Sequence, residues 1–143
     1  AQVMGHEISH ALANHTAERM SMAMASQMGL MGVAVAAGNN EYGNAILAGS
    51  SMAAAVAITL PNSRTSETEA DRMGIELAAK AGYDPRAAAT LWEKMARVGG
   101  KGPPQFLSTH PAPANRQQTL RVLADEMMVY YVNKASRPVY PLR

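Results

Sequence analysis

The chain has 143 residues, with 13 Lys+Arg against 11 Asp+Glu, 48% hydrophobic residues and no cysteine. That is the size of one ordinary domain, and the missing thiol excludes disulfide scaffolds, thiolate zinc sites, cysteine nucleophiles and iron–sulfur clusters. With charges this nearly balanced and only 5% aromatics, there is no basic, base-stacking surface for nucleic acid.

The first predicted element is a helix over residues 1–27. The chain opens Ala1-Gln2-Val3-Met4-Gly5 with no initiator Met and no basic n-region, and it reads as a piece of a longer protein. This helix carries His6-Glu7-Ile8-Ser9-His10, an H-E-x-x-H pattern. Four residues make slightly more than one helical turn, so both imidazoles project from one face. There they suit one Zn2+ per chain, with Glu7 beside them as a base for water. Gly and His at positions 13 and 16 would extend the pattern to a metzincin, but Ala13 and Thr16 stand there. His15 lies five residues past His10, about 140° around a continuous helix. It is expected in packing or a surface hydrogen bond rather than on the metal.

Residues 28–60 read as an Ala/Met-rich helical hairpin, broken at Gly38-Asn39-Asn40-Glu41-Tyr42-Gly43. Its apolar stretches, Met28 to Ala37 and Ala45 to Leu60, fall short of about 20 strongly apolar residues, so no clear transmembrane span is expected. A membrane-dipping or substrate-facing hairpin stays open beside plain packing. The Met content favours an adaptable surface.

Residues 66–135 are expected to hold three helices. Ser66 and Glu69 fit a capping box that starts the first of them. Gly82 ends it. Asp84 and Pro85 start the second, which places Ala88, Leu91, Trp92 and Met95 on a core face. A loop with four prolines follows from Gly99 to Pro113, then a helix to about Lys134 with Leu120, Leu123, Met127 and Tyr130/Tyr131 inward. Residues 136–143, with Pro138 and Pro141, are expected to form an extended tail. No strand longer than a few residues is expected, and the fold class is mainly α.

Two histidines do not complete a catalytic zinc site. Glu67 and Asp71, four apart on one helix face, are the candidates to extend it. Glu67 would bind the ion. Asp71 would hydrogen-bond a ligand imidazole and fix its tautomer. Glu69 would point away, as the partner of Ser66.

H-E-x-x-H, then Ser66-Glu67-Thr68-Glu69-Ala70-Asp71-Arg72-Met73-Gly74 and Ala81-Gly82-Tyr83-Asp84-Pro85, resembles the M48 family of zinc metallopeptidases. The resemblance covers nearly the whole chain. It implies the helical part of a zincin-type (gluzincin) domain whose N-terminal sheet portion is absent. It also implies His6, His10 and Glu67 as metal ligands, Glu7 as base and Asp71 as their partner. His110, in Leu107-Ser108-Thr109-His110-Pro111, and Arg116 gain roles through the same likeness. His110 would stabilise an oxyanion or close the metal's fourth position; Arg116 would stand behind the ligands or face substrate. The expected activity is Zn2+-dependent endoproteolysis of unfolded or misassembled proteins in the bacterial cell envelope, periplasmic or outer-membrane associated. Partners would be protein or peptide substrates, a membrane surface, and further copies of the chain through apolar surface left by the missing part. The rival reading is a latent or non-catalytic chaperone or scaffold, with His6, His10, Glu67 and His110 filling a closed zinc shell. A membrane-embedded prenyl-protein protease would need genuine spans.

Overall fold

A computed structural model describes residues 1–39, 41–98 and 115–132, and all elements among them are helical. In chain order they are α1 (Gln2–Leu12), α2 (His15–Ala37), α3 (Glu41–Ala54), a π-helical segment (Ala55–Thr59), α4 (Leu60–Lys80), α5 (Ala87–Val98) and α6 (Arg116–Val132). The proline-rich loop with His110, and the tail, lie outside the described residues.

The expected helix over 1–27 is two helices. Asn14 takes the left-handed conformation (φ 57°, ψ 28°), which asparagine tolerates better than most residues. The break points α2 away from the axis of α1 and returns His15 toward His10.

The expected capping box at Ser66 is not formed, because the helix does not begin there. Pro61 stands in the first turn of α4 and lacks the N–H for one i→i−4 bond. The chain absorbs the defect in the π-helical segment just upstream, where the turns widen, and runs on as α4. Ser66 is therefore buried in mid-helix, and Glu69 pairs with His15 instead.

The other end of α4 follows expectation. Gly82 adopts φ 91°, Tyr83 N–H donates to Ala78 O and Gly82 N–H to Ala79 O, both at 2.9 Å. This is a Schellman motif. Asp84 then accepts from Arg86 N–H at 2.9 Å and leads into α5.

The apolar core lies between α4, α5 and α6: Ile75, Ala79, Ala88, Ala89, Trp92, Leu120, Leu123 and Met127, with Met95 and Tyr131 against it. Two expected core residues stand elsewhere. Leu91 lines a surface groove beside Tyr83, and Tyr130 is exposed beneath Lys80. α1 lies across α4, while α2 and α3 pack mainly on each other. Both hairpin legs are longer than the apolar stretches read from sequence, since helix extends from His15 and onward past Leu60. Contrary to the expectation of no clear span, α2 and the helix from Glu41 are long and apolar enough to cross a membrane.

Candidate metal centre

The buried face of α1 is made of Gln2, Gly5, His6, Ser9 and His10, at i, i+3, i+4, i+7 and i+8. That is the stripe a helix normally buries, yet here it is polar, while Met4, Ile8 and Leu12 are exposed. Burying imidazoles and exposing aliphatics costs free energy unless the buried groups have partners. α4 supplies those partners.

The crossing of α1 and α4 is set by two glycines. A Cβ on Gly5 would stand 2.5 Å from Gly74 O, and one on Gly74 would stand 2.7 Å from His6 N. Only hydrogen side chains allow this approach. Gly74 shares the face of Glu67 and Asp71, so contact here carries both carboxylates onto the imidazoles.

Glu67 is fully buried and faces both rings: Oε2 is 3.2 Å from His6 Nε2, and Oε1 is 3.2 Å from His10 Nε2. The two Nε2 atoms are 3.1 Å apart. Two imidazole nitrogens and one carboxylate oxygen thus converge within 4.8 Å of one another. Around a tetrahedral Zn2+ with bonds of about 2.0–2.1 Å, donor atoms stand roughly 3.3 Å apart. Two imidazoles and a carboxylate at nearly that spacing fit zinc in donor type and in distance.

The outer nitrogens are also held. His6 Nδ1 is 3.0 Å from Asp71 Oδ1, so its N–H donates there and Nε2 keeps its lone pair for the ion. Asp71 is fixed by Arg116, whose Nε and Nη2 donate at 2.8 and 2.7 Å. Arg116 is 5% exposed and lies over the Trp92 ring at 3.6 Å. The expected substrate-facing position is excluded by that burial, and Arg116 stands behind the ligands. On the other side, His10 Nδ1 is 2.9 Å from His15 Nδ1, and His15 Nε2 is 3.3 Å from Glu69 Oε2. If Glu69 accepts from His15, then His15 accepts from His10, and His10 Nε2 is likewise left facing inward. Glu7 is exposed on α1.

The reading from sequence missed His15 and Glu69 as supports of His10. It also missed the glycine pair and Trp92 as the shelf for Arg116. Gly5 and Gly74 were findable, since each sits on the ligand face of its own helix.

Burial works against a charged His6, but hydrogen bonds to Asp71 and Glu67 outweigh it and raise its pKa from 6.5 to about 9 in the metal-free protein. A raised folded-state pKa gives stability that is complete below about 6.5 and lost as pH climbs through about 9. The melting temperature of metal-free protein should therefore fall between those values, and zinc, which replaces the Nε2 proton, should flatten that slope. Differential scanning calorimetry with and without metal reads both; an equal slope in the two forms would refute the assignment.

The family model "Peptidase family M48" matches residues 1–124. The mitochondrial metalloendopeptidase OMA1 of Arabidopsis thaliana is 36% identical over 140 residues, covering 96% of this chain and 27% of that protein. The OMA1 of Saccharomyces cerevisiae is 36% identical over 127 residues, 84% of this chain and 34% of its own length. The β-barrel assembly-enhancing protease of Escherichia coli is 35% identical over 135 residues, with 89% and 27% covered. The chain thus spans between 27% and 34% of the length of these relatives. No solved structure gives a significant match. The chain belongs to peptidase family M48.

Proposed function

We propose that this chain carries the metal centre of a zinc endopeptidase acting on unfolded or misassembled protein chains of the cell envelope. His6, His10 and Glu67 would hold one Zn2+, with Asp71 and His15 fixing the two imidazole tautomers. When bound, zinc supplies Lewis acidity toward the scissile carbonyl and toward water. Glu7, next to His6 and open to solvent, takes the proton of the attacking water and hands it to the leaving amine. Arg116 and Asp71 keep the His6 ring in place during turnover and touch no substrate. His110 keeps its two expected roles as part of this proposal.

The observation that carries the reading is the convergence of a fully buried carboxylate on two imidazole Nε2 atoms, each ring held from behind. Relatives named for mitochondria and for bacterial β-barrel assembly are 35–36% identical over 89–96% of this chain. Family membership therefore carries no compartment, and the envelope setting rests on the sequence expectation.

The test is metal removal from the full-length protein. Dialysis against a chelator should abolish hydrolysis of unfolded casein, and one equivalent of Zn2+ per chain should restore it. Hydrolysis that survives complete removal, or protein that retains no zinc after reloading, overturns the assignment.

A further inference from the structure

α2 is 23 residues long, yet His15 is the one residue of it that is buried. Helices ordinarily dock through a stripe of apolar side chains; this one docks through an imidazole. Along the rest of its length α2 packs mainly on α3. The one buried residue of α3, Gly43, lies against Gly38 of the same hairpin, and the π-helical segment that follows buries none. The hairpin is therefore anchored to the rest of the protein at His15.

Both joints of the hairpin depart from regular helix. At one end stands Asn14, the only non-glycine residue with a positive φ among the described residues. At the other, the return leg enters α4 through Ala55–Thr59, where the i→i+4 ladder gives way to i→i+5 bonds. A helical pair held between two such joints can tilt as a body, with the change absorbed at its ends. What opposes tilting is the contact at His15. Its Nδ1 is 2.9 Å from Nδ1 of His10, and its Nε2 is 3.3 Å from Glu69 Oε2 on α4. Glu69 is exposed, so the outer bond is screened by water and adds little. The bond to His10 is buried.

The inner bond is tied to the metal. Zn2+ on His10 Nε2 leaves Nδ1 as the only place for the ring proton, so His10 always offers His15 a donor. Without the ion, that proton is free to sit on Nε2, which faces Glu67 Oε1 at 3.2 Å. A lone pair on His10 Nδ1 then meets the lone pair of His15, and the contact is lost. We propose that the hairpin is a lever on the metal centre. His15 holds zinc-loaded His10 from behind, zinc in turn locks the hairpin in the observed orientation, and tilting the hairpin loosens the hold on zinc. His15 is thus a positioning residue that acts through His10. The proposal rests on the reading of His6, His10 and Glu67 as zinc ligands, and it gives that site a means of regulation. Coupling of this kind is reciprocal by thermodynamic necessity.

The test reads that reciprocity. The full-length protein, with any other cysteine removed, carries nitroxide labels on Tyr42→Cys near the hairpin tip and Lys94→Cys on α5, both exposed positions. Double electron–electron resonance gives the distribution of distances between them, with zinc removed by a chelator and with zinc restored. Zinc should narrow the distribution in this parent protein. With His15→Phe added, and zinc saturating by metal analysis, the distribution should stay as broad as without the ion. His15→Asn places an amide oxygen where the accepting nitrogen stood and should keep most of the narrowing. Zinc affinity, read by competition with a chelating dye, should fall about 10–100-fold in His15→Phe. A distribution that ignores zinc in the parent protein overturns the proposal, and this arm needs no variant at His15. Equal narrowing with His15→Phe overturns it as well, since another contact would then join hairpin and metal. Casein hydrolysis is measured on the same samples. Coupling in zinc-loaded protein that never hydrolyses casein would sink the peptidase reading alone. Zinc-dependent hydrolysis with an indifferent hairpin would sink the lever alone.

Discussion

Replacing Glu7 with Gln in the full-length protein is expected to leave one zinc per chain and to lower kcat for casein by about 10²–10⁴-fold, the usual worth of a positioned acid–base group. The expectation follows from where Glu7 stands. The donors that converge are His6, His10 and Glu67, and the groups behind them are Asp71 and His15. Glu7 is in neither set and is exposed. A neutral amide of the same shape therefore removes the proton acceptor and leaves the three converging donors in place. Glu67→Gln should behave oppositely and lose zinc, because a neutral amide would then be buried between two imidazoles. Metal analysis and turnover measured on the same two proteins separate a base from a ligand. Wild-type hydrolysis by Glu7→Gln would dismiss Glu7 as the base, and retention of zinc by Glu67→Gln would remove the carboxylate from the ligand set.

How much of this site was legible depended on whether its spacing lay within one helix. His6 and His10, and likewise Glu67 and Asp71, are four apart, so the helical period alone placed each pair on a common face. For His15 the same arithmetic misjudged only the position, since it is buried and hydrogen-bonded to His10 and Glu69 and is not among the converging donors. An offset of about 140° assumes a continuous helix, and the left-handed Asn14 breaks that helix and folds His15 back onto His10. Glu69 was misassigned for a related reason. Ser66 and Glu69 have the spacing of a capping box, which points to a helix start there, and the π-helical segment through which the helix runs on is invisible in local preference. What joins the two pairs, the Gly5–Gly74 contact, is tertiary. Spacing within either helix could suggest it but not fix it. The hairpin legs were underestimated because their ends hold Gln, Ser and Thr, which dilute hydropathy without ending a helix.

Arg116→Met is expected to cost about 3–5 kcal/mol of stability, the range for removing one partner of a buried ion pair. The guanidinium is 5% exposed and donates two bonds to Asp71, which is itself 5% exposed, and it stands 3.9 Å from the fully buried Glu67. Without it, the carboxylates of Glu67 and Asp71 remain inside the fold with only His6 as a nearby cation, and the Trp92 face loses the group stacked on it. For a domain near this size the loss corresponds to a fall in Tm of about 10–20 °C. Arg116→Lys should recover little, since an ammonium can neither chelate both oxygens of Asp71 nor stack on the indole. Metal affinity should fall as well, by about 10–100-fold, because Asp71 sets the His6 ring and Arg116 sets Asp71. The double variant Asp71→Asn with Arg116→Met distinguishes a stranded charge from lost packing. If the penalty is electrostatic, removing the carboxylate as well should return part of the stability lost by Arg116→Met alone, a coupling visible in a double-mutant cycle. If the two losses simply add, the Asp71–Arg116 pair is not what holds α4 to α6, and the His6 ring must be positioned by other contacts.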